Sequence, residues 1–314
     1  MKFVVTGGAG FIGSNLVEAL VQRGDSVVVL DNFSTGKREN LEAVRDHIEV
    51  VEGSITDLPT VRHAVQGADF VLHQAALASV QRSVDDPLTS NETNVRGTLN
   101  VLVAARDAGV RRLVYAASSS AYGDTEDLPK REDMPPRPLS PYAVQKWVGE
   151  QYCQVFSSLY GLDTVSLRYF NVFGPRQDPN SHYAAVVPIF VTRLLADTSP
   201  TIYGDGEQSR DFTYIANVVR ANLAACDGGP KNGAVVNIAC GDRFSLNELF
   251  RQLCVLTGSK RNPTYAEARA GDVRHSMADI SEARRVLGFA PEVDFHTGLE
   301  RTVDWYRQVL SASR

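Results

Sequence analysis

Short runs of β-branched and other apolar residues alternate with longer helix-like stretches through the first half of the chain. The short runs predict strands at residues 3–6, 26–30, 48–52, 70–74, 113–116 and 165–168. The longer stretches predict helices at 11–23, 58–65, 91–107 and 141–159. Strands alternating with helices of this length point to an α/β fold, a doubly wound parallel sheet with helices on both faces. Ligands in such folds lie beyond the carboxyl ends of the strands.

After about residue 170 the rhythm loosens. Segments rich in Gly, Pro, Asp and Asn at 174–180, 203–208, 227–233 and 258–263 separate shorter elements. That pattern predicts a smaller α/β lobe built from excursions between returns to the main sheet. The expected division is a dinucleotide-binding Rossmann domain over 1–170, with returns near 211–240, and a substrate lobe over 171–210 and 241–314. No internal repeat or low-complexity tract interrupts it.

Composition narrows the function classes. The 314 residues are 43% hydrophobic and 22% charged, ordinary for a water-soluble globular chain. A formal net charge of −5 offers no basic footprint for nucleic acid. The four cysteines and six histidines are scattered, with no zinc-like spacing, so no metal is expected. The opening MKFVVTGGAG lacks a leader pattern, and no apolar run approaches the roughly 20 residues of a membrane span. The expectation is a cytoplasmic protein with reduced thiols.

The first chemical signal is Thr6-Gly7-Gly8-Ala9-Gly10-Phe11-Ile12-Gly13, between a strand and a helix. Gly7, Gly10 and Gly13 allow a tight turn, close backbone approach to a pyrophosphate and close helix–sheet packing. The free N–H groups and dipole of the helix start favour phosphate charge. Asp31 ends the next strand, where a carboxylate accepts ribose hydroxyls and repels a 2′-phosphate. NAD rather than NADP is therefore expected; the competing reading of Asp31 is a turn cap in DNFSTG. Small residues in His73-Gln74-Ala75-Ala76 let backbone lie against the cofactor, and Asn94 either steadies or contacts that site.

The second signal is Tyr142 and Lys146, a YxxxK pair on a helix opened by Ser140-Pro141. The i, i+4 spacing puts both side chains on one face. A nearby ammonium and the positive nicotinamide ring both favour the phenolate, which would act as general base on a hydroxyl. Ser118, Ser119 and Ser120 end the preceding strand, ready to hydrogen-bond the same hydroxyl. A core tyrosine beside a surface lysine is the competing reading.

Together the glycine motif, YAASSSAYG, SPYAVQK and LRYFNVFGPRQDP resemble the extended short-chain dehydrogenase/reductases acting on nucleotide sugars, along essentially the whole chain. Among these the chain is most similar to the UDP-hexose 4-epimerases, especially the subgroup acting on N-acetylated sugars. The resemblance implies reversible C4 epimerisation of a UDP-sugar, through a 4-keto intermediate, with tightly held NAD. It puts Ser118 at the catalytic Ser/Thr position beside Tyr142 and Lys146, and Ser119 and Ser120 in the sugar site. Cofactor contacts are implied for Gly7, Gly10, Phe11, Ile12, Gly13, Asp31, Asn32, Ser34, Gly36, Ser54, Ile55, Gln74, Ala75, Ala76, Asn94, Tyr142, Lys146 and Tyr169, with Phe170 by the nicotinamide. Substrate contacts are implied for Asn171, Gln177, Val187, Arg210, Arg269, Asp272 and Ser276, with Phe212 beside the nucleotide. Gln177 would meet an N-acetyl group, and Ser276 would leave room for it where galactose-type enzymes often carry tyrosine.

Two departures stand out. Ser54 replaces the Asp that many epimerases place by the adenine, with Asp57 as a candidate substitute, and Ala78 stands where galactose-type enzymes often have lysine. Among alternatives, a 4,6-dehydratase uses acids just after the catalytic Ser/Thr, where this chain has Ser119, Ser120 and Ala121. A UDP-glucuronate-processing enzyme such as a decarboxylase is disfavoured for a similar reason, because the acid expected near the triad is missing from this chain, and a non-catalytic NAD-binding module would not need an intact triad. The resemblance also implies a homodimer, pairing the Tyr142 helix and the 91–107 helix with their copies.

Overall fold

The structure, a computed structural model, describes residues 1–179, 185–268 and 273–312. Its centre is a parallel sheet containing β1 (Lys2–Thr6), β2 (Ser26–Asp31), β3 (Ile48–Glu52), β4 (Phe70–His73), β5 (Arg112–Ser118) and β6 (Thr164–Tyr169). A seventh strand, Ala234–Ile238, pairs with β6, giving the order Ala234–Ile238, β6, β5, β4, β1, β2, β3. The chain runs outward from β1 to β3 and returns to β4 on the other side of β1. That reversal opens a crevice beyond the carboxyl ends of β1 and β4, where a doubly wound sheet takes its ligand.

The strand pattern has a direct cause. Phe3, Val4, Val5 and Thr6 are all fully buried, because helices cover both faces of the sheet; such strands read as continuous apolar runs rather than alternating ones. Successive residues still divide between two cores. Val5, Val27 and Val29 pack toward the helix Phe11–Gln22, while Val4, Val28 and Leu30 join the side of Leu58–Ala64, Thr98–Asp107 and Pro141–Tyr160.

The second lobe is assembled from two- and three-residue ribbons: Val172–Phe173 with Thr213–Tyr214, Ser209–Arg210 with Phe244–Ser245, and Thr201–Tyr203 with Thr264–Ala266. Phe295 is its aromatic centre, with ring centroids 4.2 Å from Phe244, 5.1 Å from Phe212 and 5.9 Å from Phe173. Asp211 ties the lobe to the sheet. Its carboxyl accepts backbone N–H bonds from Cys240 and Gly241, just beyond the seventh strand, and from Ala278.

The single helix expected over 91–107 is not continuous. Pro87–Asn91 passes into a π-turn, Glu92–Gly97, and then into Thr98–Asp107. Here the Asn94 side chain clasps Leu77, bonding its backbone N–H (2.8 Å) and C=O (3.2 Å). A π-turn of this kind often marks a functional site. The 3₁₀ stretch Arg38–His47 also falls outside what periodicity predicts. Among the described residues no helix is long and apolar enough to cross a membrane.

Candidate active site

The glycine turn forms a cradle that side chains would fill. Gly7 has φ +68°, and a Cβ there would lie 2.7 Å from the Ala75 nitrogen; one on Gly13 would lie 2.1 Å from the Gly7 oxygen. Helix Phe11–Gln22 starts at Gly10 with no side-chain cap. The N–H groups of Phe11, Ile12 and Gly13 therefore have no side chain competing for them. An uncapped helix start behind a close-packed glycine turn fits the pyrophosphate of NAD.

Asp31 is buried at the end of β2. One carboxyl oxygen accepts the Ala9 N–H at 2.9 Å and the other the Phe33 N–H at 2.8 Å, each keeping a lone pair for a ribose hydroxyl. Gly36 faces it so closely that a Cβ would sit 2.9 Å from Oδ2. Asn32 and Ser34 form the exposed turn that follows, the Asn32 side chain accepting from the Ser34 N–H at 3.1 Å. Ser54 bonds the Thr56 hydroxyl at 2.8 Å, and Asp57 accepts from the Thr60 hydroxyl at the start of helix Leu58–Ala64. Ala75 and Ala76 line the half-buried edge beyond β4. The Gln74 amide bonds Tyr169 Oη and Asn222 Oδ1, both at 3.2 Å.

Opposite the cradle, Ser140 caps the helix Pro141–Tyr160 by accepting the Ala143 N–H, and Ser83 accepts the Tyr142 N–H at 3.0 Å. Ser118 stands next to the Tyr142 phenol and favours its ionised form as a hydrogen-bond donor would. The Ser118 oxygen accepts both the N–H (3.2 Å) and the hydroxyl (2.9 Å) of Ser120. With its lone pairs so occupied, Ser118 has its own proton left to give, to the phenol oxygen or to a substrate oxygen. Lys146 is buried and donates to the Ala116 carbonyl at 2.7 Å.

The electrostatics differ from the expectation that Lys146 would favour the phenolate. Burial pushes Tyr142 up to about 12, with the Ser118 hydrogen bond acting the other way. Burial also pushes Lys146 down to about 8, opposed chiefly by Glu150. One Lys146 N–H goes to Ala116 and the other two stay free among the described residues, but in the protein alone desolvation of the phenol is the larger effect.

Several expected contacts are corrected by burial. Phe170 is fully enclosed with Tyr122, Ala239, Ala278 and Ile280, and so does not face a nicotinamide. Phe212 stacks on Phe295 inside the second lobe, and the Val187 side chain is buried in the same core. Ile55 packs under Gly97. Asn94 is buried and bonded to Leu77 and Gln145, so it steadies the site rather than contacting a ligand. Each is an apolar or amide side chain beside a polar motif, where sequence spacing does not distinguish core from cleft.

On the substrate side, Asn171 adopts φ 29° and donates to the Asp211 carbonyl at 3.2 Å. Arg210 donates to the Ser209 and Arg274 carbonyls. Gln177 donates an amide N–H to the Val172 carbonyl at 3.1 Å, and its buried Oε1 has no partner among the described residues. Ser276 is buried beside the Ser209–Arg210 ribbon, its N–H bonded to the Ser209 carbonyl at 3.0 Å. Arg269 and Asp272 lie outside the described residues. Motif and spacing alone miss the roles of Thr6, Ala9 and Thr98, which hold the cradle from behind; for Thr6 the available signal is a hydroxyl ending a buried apolar strand.

Comparison with known proteins agrees with this geometry. Residues 3–239 match the model of the NAD dependent epimerase/dehydratase family. The UDP-glucose 4-epimerase of Mycolicibacterium smegmatis is 41% identical over 98% of this chain and 99% of its own length. The Thermotoga maritima UDP-glucose 4-epimerase, solved with UDP-glucose, superposes with a TM-score of 0.94 at 40% identity, covering 99% and 100% of the two chains. A UDP-N-acetylglucosamine 4-epimerase from Methanobrevibacter ruminantium, in complex with UDP-N-acetylmuramic acid, superposes with a TM-score of 0.93 at 40% identity and 98% coverage of both.

Proposed function

Because the chain belongs to the NAD dependent epimerase/dehydratase family, we propose that it interconverts UDP-N-acetylglucosamine and UDP-N-acetylgalactosamine by inverting C4, with UDP-glucose and UDP-galactose as a second pair. The protein is an NAD-dependent UDP-sugar 4-epimerase; the preferred hexose is the step beyond that.

The observation that carries this choice is Gln177. One amide N–H goes to Val172, and the buried Oε1 has no donor among the described residues; such an atom costs free energy until it is paired. The N–H of a C2 acetamido group supplies that donor in a direction fixed by the planar amide, whereas a 2-hydroxyl supplies a freely rotating one. Ser276, a small residue, supports the same choice by leaving room for that group.

When bound, NAD supplies the acceptor for the C4 hydride and the donor that returns it. The chain does the proton work. Tyr142 takes the C4 hydroxyl proton as phenolate and gives it back after the 4-keto sugar has turned. Ser118 donates its free proton to the C4 oxygen, and Lys146 contributes positive charge beside the phenol. Ser119, Ser120 and Ala121 provide no carboxylate to expel a C6 hydroxyl, which disfavours dehydration.

The test is proton NMR of UDP-N-acetylglucosamine, UDP-glucose and UDP-glucuronate, each incubated with enzyme and no added NADH. Faster formation of UDP-N-acetylgalactosamine than of UDP-galactose is expected. Turnover of UDP-glucose alone overturns the hexose choice, and a 4-keto-6-deoxy product overturns epimerisation.

A further inference from the structure

Behind the cofactor cradle runs a buried row of hydrogen bonds whose direction can be worked out atom by atom. The Thr98 hydroxyl donates to the Asn94 carbonyl at 2.7 Å, within the π-turn. With its proton so used, it accepts from His73 Nε2 at 3.0 Å, while the neighbouring Tyr115 phenol donates to the Lys146 carbonyl at 3.5 Å. Nε2 of His73 must then carry the ring proton, and Nδ1 is a bare acceptor. Thr6 lies 2.7 Å from that Nδ1, so its hydroxyl donates there, while its oxygen accepts the Ala75 N–H at 3.2 Å. Every donor and acceptor in the row is matched in one direction, from Ala75 through Thr6, His73 and Thr98 to Asn94.

We propose that His73 is a positioning residue of the cofactor site: with its proton on Nε2, it is the middle link that holds the glycine turn, the 74–77 loop and the π-turn in one register. The proposal rests on the NAD site read above. Thr6 leads directly into Gly7, where the backbone of Ala75 approaches so closely that not even a Cβ fits. A shift of a few tenths of an ångström there changes the cradle. The same row reaches the catalytic helix. The Tyr115 ring lies 5.6 Å from the His73 ring and 4.9 Å from Lys146 Nζ, and a Cβ on Gly149 would lie 2.3 Å from its phenol oxygen. The titratable groups facing His73 are thus Tyr115 and Lys146. Burial and the Lys146 charge push the imidazole down to about 3, so the neutral ring persists through the working pH range.

Two measurements on the NAD-loaded enzyme test this. In long-range ¹H–¹⁵N spectra of imidazole-labelled protein, the resonance lost in His73→Gln should have the Nε2–H pattern and stay unchanged from pH 5 to 9. An Nδ1–H pattern, or titration in that range, overturns the proposal even if neither His73→Leu nor Thr98→Val folds. The variants His73→Leu and Thr98→Val, checked by circular dichroism, should bind NAD at least about tenfold more weakly, as expected for losing a buried hydrogen bond. His73→Gln, whose amide offers one donor and one acceptor, should stay within about threefold of the parent enzyme. If His73→Leu or Thr98→Val folds and keeps unaltered NAD affinity, the proposal is also overturned. Failure of the parent enzyme to bind NAD would instead overturn the cofactor reading.

Discussion

Tyr142 illustrates how a single residue's chemistry depends on what has been bound. In the protein alone, burial holds the phenol up to about 12, and Lys146 gives its nearest proton to Ala116. The positive charge of an oxidised nicotinamide would stabilise the phenolate, coupling base strength to the oxidised cofactor. Tyr142→Phe should lower turnover by about 10²–10⁴-fold, the usual contribution of a positioned general base. UDP-sugar affinity, measured by calorimetry, should stay close to that of the parent enzyme; near-normal turnover would refute the assigned base. Ser276 is a residue of a different kind, one that matters for its size. A tyrosine at this buried position would project into the neighbouring space, so Ser276→Tyr should reduce UDP-N-acetylglucosamine turnover at least about tenfold while largely sparing UDP-glucose. Equal losses on the two substrates, followed by chromatography, would remove Ser276 from the account of specificity.

Among the elements, the helix Pro141–Tyr160 shows why the catalytic face is held so firmly. Glu150, one turn beyond Lys146, is fully buried and grips Arg168 of β6 through two bonds, at 2.9 and 2.8 Å. Burial raises the Glu150 carboxyl, the guanidinium lowers it, and the two-bond geometry keeps the pair ionised. Glu150→Ala would leave a buried guanidinium unpaired, at a cost of about 3–5 kcal/mol in urea unfolding. The pair also reaches Lys146, because the Glu150 charge opposes the burial that brings the ammonium down to about 8. With Glu150 removed, Lys146 falls further and loses its proton at lower pH. The alkaline limb of the rate profile should therefore move toward neutrality; an unmoved limb would show that Lys146 does not sense Glu150.

At the scale of the whole molecule, the same helix leaves apolar surface uncovered. Val144 and Val155 are each 42% exposed, and the adjoining short helices Val80–Asp85 and Pro87–Asn91 add Val84 at 54% and Leu88 at 83%. Trp147, Val148 and Tyr152 are half-buried between them and the core. A second copy of this helix would cover the exposed residues, and we propose that the protein is a homodimer through this face. Light scattering at micromolar concentration should give twice the 34.3 kDa chain mass; a single-chain mass would refute the pairing.

What the sequence determined alone is what depends on neighbours a few residues apart. The buried strands β1, β2 and β4 read as nearly continuous apolar runs and the edge strand β3 as a short β-branched one, so β1 to β6 were legible to within one or two residues at their ends. Gly7, Gly10 and Gly13 between strand and helix announced a close-packed turn, and an i, i+4 spacing placed Tyr142 and Lys146 on one helical face. Tertiary structure decided everything that depends on residues brought together from afar. Phe212 beside a polar motif reads as a ligand contact until Phe295, at the start of the C-terminal helix, is found stacked on it. Lys146 reads as enough to make the phenolate until burial of the phenol is found to outweigh it and one of its protons is found on the Ala116 carbonyl. The π-turn, the unpaired oxygen of Gln177 and the row through Thr6, His73 and Thr98 likewise arise from contacts across the fold. Periodicity encodes which side of an element is buried, whereas the partner met on that side is set only when the chain closes on itself.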